Sequence, residues 1–308
     1  MLQGIPKTKT LRDIGIRYIE LVNEITAPLP PLPIAEMSSP PWTPPSSPLE
    51  EATVMLVSSA GVHFRSDPPF APVDDLSFRC IPVDTPAALL RPSHPSPIRR
   101  PGLIDINVVH PAERLSELAA GGRIGAVADH HQSMLGAIKS LVQLVTELGP
   151  AMAADAVASG ATVVMLVPLC PACHQTIGLL ARVFERAGLT TVTVTGARDI
   201  TERVRPPRAG WLDFPLGNSV GRPNEPDEQR AICLDVLGLA TSAASPGAIA
   251  NLSYQWPDPT WEDRIVQQYR DEADTVVSQR RHEFDASGAH FAADEVAAVE
   301  SMGRRGLL

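Results

Sequence analysis

Six short apolar runs, bounded by turn residues and mostly separated by helix-length amphipathic stretches, constrain this chain more than any other feature. They fall at 53–58, 78–83, 104–109, 123–128, 162–167 and 190–195, and their length and flanks predict strands. Between and after them the pattern predicts helices. One runs from Pro111, a good first helical residue, to Gly121; others cover about 134–148, 171–187 ending at Gly188, and 227–239. Strands alternating with helices predict an α/β fold: a mostly parallel sheet with helices on both faces, with room for two Rossmann-like halves.

The flanks read differently. In residues 1–27, Leu11, Ile14, Tyr18, Leu21, Val22 and Ile25 share one helical face after a capping Thr10, which predicts a docking helix. Nine of the 21 residues from Pro28 to Pro48 are proline, so 28–50 is expected to be an extended strap that cannot donate a regular ladder of hydrogen bonds. The α/β core is assigned to 51–250. Residues 251–308 carry a last amphipathic helix, through Trp261, Ile265, Tyr269, Ala273 and Val276, and a tail.

A net charge of −9 argues against nucleic acid and anionic membrane surfaces as partners. The longest uncharged run, between Asp155 and Arg182, is broken by Pro168, Pro171, His174 and Gln175, so no membrane span is expected. Residues 1–10 lack the apolar stretch of a secretory signal, and a cytoplasmic location is the expectation.

Four cysteines are too few for a disulfide framework at this length, which directs attention to the pair in Cys170-Pro-Ala-Cys173. Cys170 is predicted to leave a buried strand and Cys173 to enter a helix, where unpaired N–H groups and the dipole favour a thiolate. Cys170 then reads as nucleophile and Cys173 as the thiol that resolves it, with an external dithiol as reductant and no firmly implied bound cofactor. The run Val-Met-Leu-Val occurs at 54–57 and again at 164–167, followed by loops that bring His63 and Cys170. In an open parallel sheet both loops would leave the carboxyl edge, where such sheets build their sites. His63, His130 and His131 are therefore the candidates to move protons. Zinc held by Cys170, Cys173 and His63 or His130 is the alternative from another class. Gly61, in the loop carrying His63, and Arg208 of Arg205-Pro-Pro-Arg208 are candidate substrate contacts, the guanidinium because it can grip a carboxylate. The loop Leu216-Gly-Asn-Ser-Val-Gly221 lacks the spacing of a dinucleotide fingerprint and reads as a tight turn.

Several of these stretches together resemble the selenoprotein B family of glycine, sarcosine and betaine reductases and the related proline reductase subunit. The resemblance is carried by Val57-Ser-Ser-Ala-Gly-Val-His63 with Asp67 and Pro68-Pro-Phe70, by Phe78-Arg-Cys-Ile-Pro82, and by Asp105-Ile-Asn-Val-Val-His-Pro111. It continues through Arg114-Leu115, Gly122-Arg-Ile-Gly125, Leu166-Val-Pro-Leu-Cys170-Pro-Ala-Cys173, Glu185-Arg-Ala-Gly188, and Pro207-Arg208 to Pro215-Leu-Gly217, covering roughly 50–240. It implies that a selenocysteine or cysteine attacks the carbon beside an amino group and releases the amine with electrons from thiols. The substrate would be a small amino-acid-like or amine molecule. This chain has no selenocysteine: Val167 stands where a U-x-x-C-x-x-C arrangement would put selenium. The resemblance also implies a partner subunit, since a pyruvoyl-bearing chain would have to be separate, and leaves a homo-oligomer or a non-catalytic subunit open.

Overall fold

The computed structural model describes residues 15–27, 29, 31–72, 74–274, 277–278 and 293–308. One continuous sheet organises them. Its strands are β1 (Thr53–Ser58), β3 (Phe78–Pro82), β5 (Ala126–Val127), β6 (His130–Met134), β7 (Val163–Val167), β8 (Thr190–Thr195), β9 (Arg208–Trp211) and β10 (Ala248–Asn251). The order is β10-β9-β8-β7-β1-β6-β3, with β5 beside the amino half of β1 and every pair parallel except β3 with β6. A separate antiparallel pair, β2 (Val62–Phe64) and β4 (Leu90–Pro92), stands beyond the carboxyl end of β1.

Burial on both faces explains why the central strands read as unbroken apolar runs. All five residues of β7 are buried. Val164 and Leu166 join the core on one face, while Val163, Met165 and Val167 join the core on the other. The first face is covered by α1 (Tyr18–Ile25), α4 (Leu141–Ala158, π-wound over Leu144–Leu148), α5 (Pro171–Arg186) and α6 (Arg198–Val204); the second by α3 (Ala112–Ala120) and α7 (Pro226–Ser242). Further helices are the short α2 (Arg100–Ile104), α8 (Trp261–Asp271) and α9 (Ala293–Arg304). By length and apolarity α4 could cross a membrane. Here Leu141, Leu144, Leu148, Met152 and Ala156 belong to the buried core.

The expected α/β architecture is present, with local corrections. Residues 104–109 do not form a strand: Pro101 opens α2, and the Asp105 carboxylate accepts the Asn107 N–H (3.0 Å) to cap a turn of 3-10 helix at Ile106–Val108. Nor does a helix begin at 134. His130–Met134 is a strand whose polar letters hide it, and the helix starts at Leu141, where Asp74 accepts the N–H groups of Lys139 and Ser140 just upstream. Among the described residues the first helix starts at Tyr18. The expected Thr10 cap and Leu11 and Ile14 lie outside the described residues, as do Val276, His282 and His290.

The chain places β5 and β6 on one side of β1 and then crosses to β7 on the other. The switch in direction therefore lies at the carboxyl ends of β1 and β7, the crevice where open α/β sheets bind ligands.

Candidate active site

β1 and β7 are hydrogen-bonded neighbours, with Ser58 opposite Val167, so the loops that follow them meet. The Ser59 N–H donates to the Val167 carbonyl (3.1 Å), and the Leu169 N–H donates to Ser59 Oγ (3.0 Å). This tie delivers Cys170 as the N-cap of α5 in extended conformation, with Pro171 in the first turn. The Cys170 sulfur takes the capping role that a serine oxygen often fills, accepting the Cys173 N–H at 3.4 Å. The two sulfurs lie 3.0 Å apart. Gly136 forms the floor below them: a methyl group there would stand 2.5 Å from Ser59 Cβ and 2.8 Å from Cys173 Sγ. Gly136→Ala is expected to slow alkylation of the pair severalfold while the folded state persists, as read by iodoacetamide kinetics and circular dichroism. Unchanged kinetics would show that this approach is not needed.

The third member of the cluster is His94. Gly61, at φ +63°, turns the chain after β1, and its carbonyl accepts the Ser93 N–H (3.0 Å), while the Ala60 carbonyl accepts that of His94 (3.1 Å). This places His94 Nε2 3.3 Å from Cys173 Sγ. On the other side of the ring, Nδ1 accepts the Ser96 N–H at 3.1 Å, so the neutral ring carries its proton on Nε2 and offers it to sulfur. Burial pushes the Cys173 thiol up. The Cys170 side chain, the His94 ring and the Cys170 backbone outweigh it, and the Cys173 thiol is lowered well below its ordinary value. With their sulfurs 3.0 Å apart, the two thiols titrate as a unit.

A cavity of about 400 Å3 opens on this cluster. Cys170 and His94 line it, while Cys173 is fully buried behind them. Val22 of α1, Leu32 and Pro33 of the strap, and Ile265 and Tyr269 of α8 form much of the apolar wall. Charges of both signs stand in it: Arg100 and Glu272, paired at 3.5 Å, and Lys139. The Tyr269 hydroxyl is buried with no hydrogen-bond partner, and burial, then the neighbouring Cys170, push its phenol up, so it remains a donor.

Of the histidines singled out from sequence, none is brought to the cysteines. His63 sits on β2, its Nδ1 against the Phe64 carbonyl (2.7 Å), and does not line the cavity. His130 begins β6 two residues before Gln132, the partner of Val57, and so stands level with the middle of β1; its ring contacts Asp129 (2.6 Å) and Asp155 (2.8 Å). His131 accepts the Leu56 N–H (3.2 Å) and packs edge-on against His110. Arg208 is fully buried, donating to Glu185 (2.6 Å) and the Thr43 carbonyl (2.7 Å) and stacking on Trp42. It holds the strap and is outside the cavity. Gly61 shapes the turn that positions His94 and does not line the cavity either. The residues missed from sequence are His94, Gly136 and Tyr269. Only the prolines around Ser93-His94-Pro95-Ser96-Pro97 could have marked a fixed loop there.

His174, one turn into α5, braces the site. Nδ1–H donates to the Cys170 carbonyl (2.7 Å), and Nε2 accepts the Gly196 and Ala197 N–H groups (3.1 and 3.2 Å), which requires a neutral ring. Burial holds its pKa down to about 4. A lowered histidine pKa contributes stability that is complete above the unfolded value of ~6.5 and is lost as pH falls toward the folded value. The loss should reach about 2 kcal/mol at pH 5. Asp213, raised to about 7 by burial, acts in the opposite direction, so a difference measurement is needed. His174→Gln retains a donor and an acceptor but does not titrate. The stability gap between the parent chain and this variant is expected to narrow by about 2 kcal/mol from pH 7.5 to pH 5 in urea unfolding, and a constant gap would contradict it.

No protein-family model and no solved structure matches the chain. It is similar to D-proline reductase subunit gamma of Acetoanaerobium sticklandii, with 31% identity over 236 residues, covering 77% of this chain and 95% of that protein. At that identity and coverage, the chain belongs to the D-proline reductase gamma-subunit family.

Proposed function

We propose that this chain is the thiol-bearing subunit of a reductase that cleaves a carbon–nitrogen bond in a small amino-acid-like substrate, with Cys170 as nucleophile. The observation that carries this reading is the position of Cys170 at the cavity wall, 3.0 Å from a buried thiol that His94 favours as thiolate. A zwitterion needs one charge of each sign, and Arg100, Lys139 and Glu272 supply both at the cavity. Cys170 passes its proton to the Cys173 sulfur 3.0 Å away and attacks the carbon beside nitrogen as a thiolate; a C–S bond forms, the C–N bond breaks, and the amine leaves with its electron pair and takes up a proton. Cys173 then attacks the Cys170 sulfur. An S–S bond forms, the C–S bond breaks, and the carbon takes the electron pair and a proton. The dithiol has lost two electrons, and an external dithiol restores it. Nitrogen is a poor leaving group unless activated, so a carbonyl-bearing partner chain is part of this reading.

Zinc on His94, Cys170 and Cys173 is the second reading, favoured by ligand atoms within 4.8 Å of one another. It would require an unprotonated Nε2 and hence a proton on Nδ1, facing the Ser96 N–H that Nδ1 now accepts. Two donors would then oppose each other, which favours the thiol reading.

The test is 5-aminovalerate formation from D-proline with dithiothreitol, using the purified chain with and without a pyruvoyl-bearing subunit. Turnover is expected only with that subunit and only with Cys170 present. Turnover by the chain alone would overturn the subunit reading. Equal turnover by Cys170→Ser would overturn the thiol reading.

A further inference from the structure

The β3–β6 side of the sheet carries a second cluster that the proposed reaction does not use. In the antiparallel β3–β6 pair Cys80 lies opposite Gln132, and Pro82 lies opposite His130. Side chains alternate along a strand, so Cys80, His130 and Gln132 project from one face. On that face α4 brings Asp155, and the Cys80 sulfur, a His130 ring nitrogen and an Asp155 oxygen lie within 4.8 Å of one another. His130 Nε2 is 2.8 Å from Asp155 Oδ2, and Cys80 Sγ is 4.0 Å from the same oxygen.

We propose that Cys80, His130 and Asp155 form a binding site for a divalent cation of the zinc class. The donor set of thiolate, imidazole and carboxylate suits a borderline-soft tetrahedral ion, and its two negative charges balance the cation. Ligands about 2.0–2.3 Å from a tetrahedral ion stand roughly 3.5 Å apart, so the observed 2.8 and 4.0 Å separations need shifts of only about half an ångström.

The surroundings are built for ligation. Asp129 holds His130 Nδ1 at 2.6 Å, the carboxylate–histidine contact that turns the other ring nitrogen toward a metal. Gln132 donates to Asp155 Oδ2 (2.7 Å) and to the Met152 carbonyl (2.9 Å), fixing the carboxylate while leaving that oxygen a further lone pair. All three ligands sit on strands or a helix, so the site is held by rigid elements. Cys80 is exposed, so the fourth coordination position faces solvent and takes water.

The test is titration of the full chain with Co2+ alone, following thiolate-to-cobalt absorption in the near ultraviolet. The Cys170→Ser/Cys173→Ser variant removes the thiol pair at the cavity. It is expected to bind one equivalent with thiolate absorption, which a further Cys80→Ser removes. His130→Ala or Asp155→Asn should weaken binding at least tenfold, and Asp129→Asn about tenfold through ring orientation. Should the double serine variant prove unfolded by circular dichroism, the unsubstituted chain gives the same decision, since Cys80→Ser must remove one thiolate-bound equivalent. Absence of thiolate absorption from folded protein, or its survival in Cys80→Ser, would overturn the assignment and leave His130 as an imidazolium between two carboxylates.

Discussion

Iodoacetamide is expected to label the Cys170–Cys173 pair with a pH midpoint clearly below the ~8.5 of a free cysteine, and His94→Ala is expected to slow labelling at pH 7 by about 10- to 100-fold. The direction follows from three donors around one charge. The Cys173 N–H reaches Cys170 sulfur, the sulfurs share a proton at 3.0 Å, and His94 Nε2–H reaches Cys173 sulfur at 3.3 Å. A hydrogen bond to a charged group contributes ~1.5–3 kcal/mol, and each ~1.4 kcal/mol is a factor of ten in thiolate population. The label should map to Cys170, because that sulfur lines the cavity while Cys173 lies behind it. Cys170→Ser should abolish it. His94→Gln, which can still donate toward sulfur, should recover part of the rate, and this separates hydrogen bonding from packing. A midpoint unchanged by His94→Ala would remove the histidine from the mechanism.

Arg182→Met is expected to cost at least ~3 kcal/mol of folding stability and to leave Cys170 more open to alkylation. The guanidinium is buried at α5 and donates only to carbonyls: Ser38 (3.1 Å), Ser39 (3.2 Å), Arg205 (2.9 Å) and Leu308 (3.1 Å). Gln175 and Glu185, seven residues before and three after it, share its face of the helix. Gln175 accepts the Ala35 N–H (2.8 Å) and donates to the Pro33 carbonyl, and Glu185 accepts the Thr43 N–H. Together they bind a proline-rich segment whose backbone has few donors of its own to pair. Methionine fills the apolar volume but takes the donor from four carbonyls, the buried one of Leu308 and the partly buried ones of Ser38, Ser39 and Arg205, and a carbonyl that water does not reach costs ~1–3 kcal/mol. Because Leu32 and Pro33 of the same strap wall the cavity, loosening it should also speed labelling of Cys170. Urea unfolding and alkylation measured on one preparation test both parts; a loss below 1 kcal/mol with unchanged labelling would show that the strap is held by other contacts.

Strands β1, β7 and β8 and helices α3, α5 and α7 were legible because local pattern determines them: apolar runs buried on both faces, proline at a helix start, glycine after its end. The place of Cys170 at the amino end of α5 followed from the same signals. So did the meeting of the β1 and β7 loops, since parallel strands deliver their carboxyl ends to one edge. What the sequence could not contain was the choice among histidines. His94, 76 positions before Cys170, reaches the cysteines only because Gly61 turns β1 into β2, β2 pairs with β4, and the Ala60 carbonyl fixes the backbone at 94. His130, assigned from sequence to the cysteine edge, stands level with the middle of β1, and its ring is taken by Asp129 and Asp155. Arg208 carries the composition of a carboxylate clamp, yet folding buries it against Glu185 and Trp42. The sequence by itself determined the layered α/β architecture and the place of the Cys170 thiol at a helix start, because helix periodicity, strand burial and capping act over a few residues. Only the tertiary structure decided which side chains stand beside that thiol, because each proximity is closed across long loops by backbone hydrogen bonds and burial that no local pattern encodes.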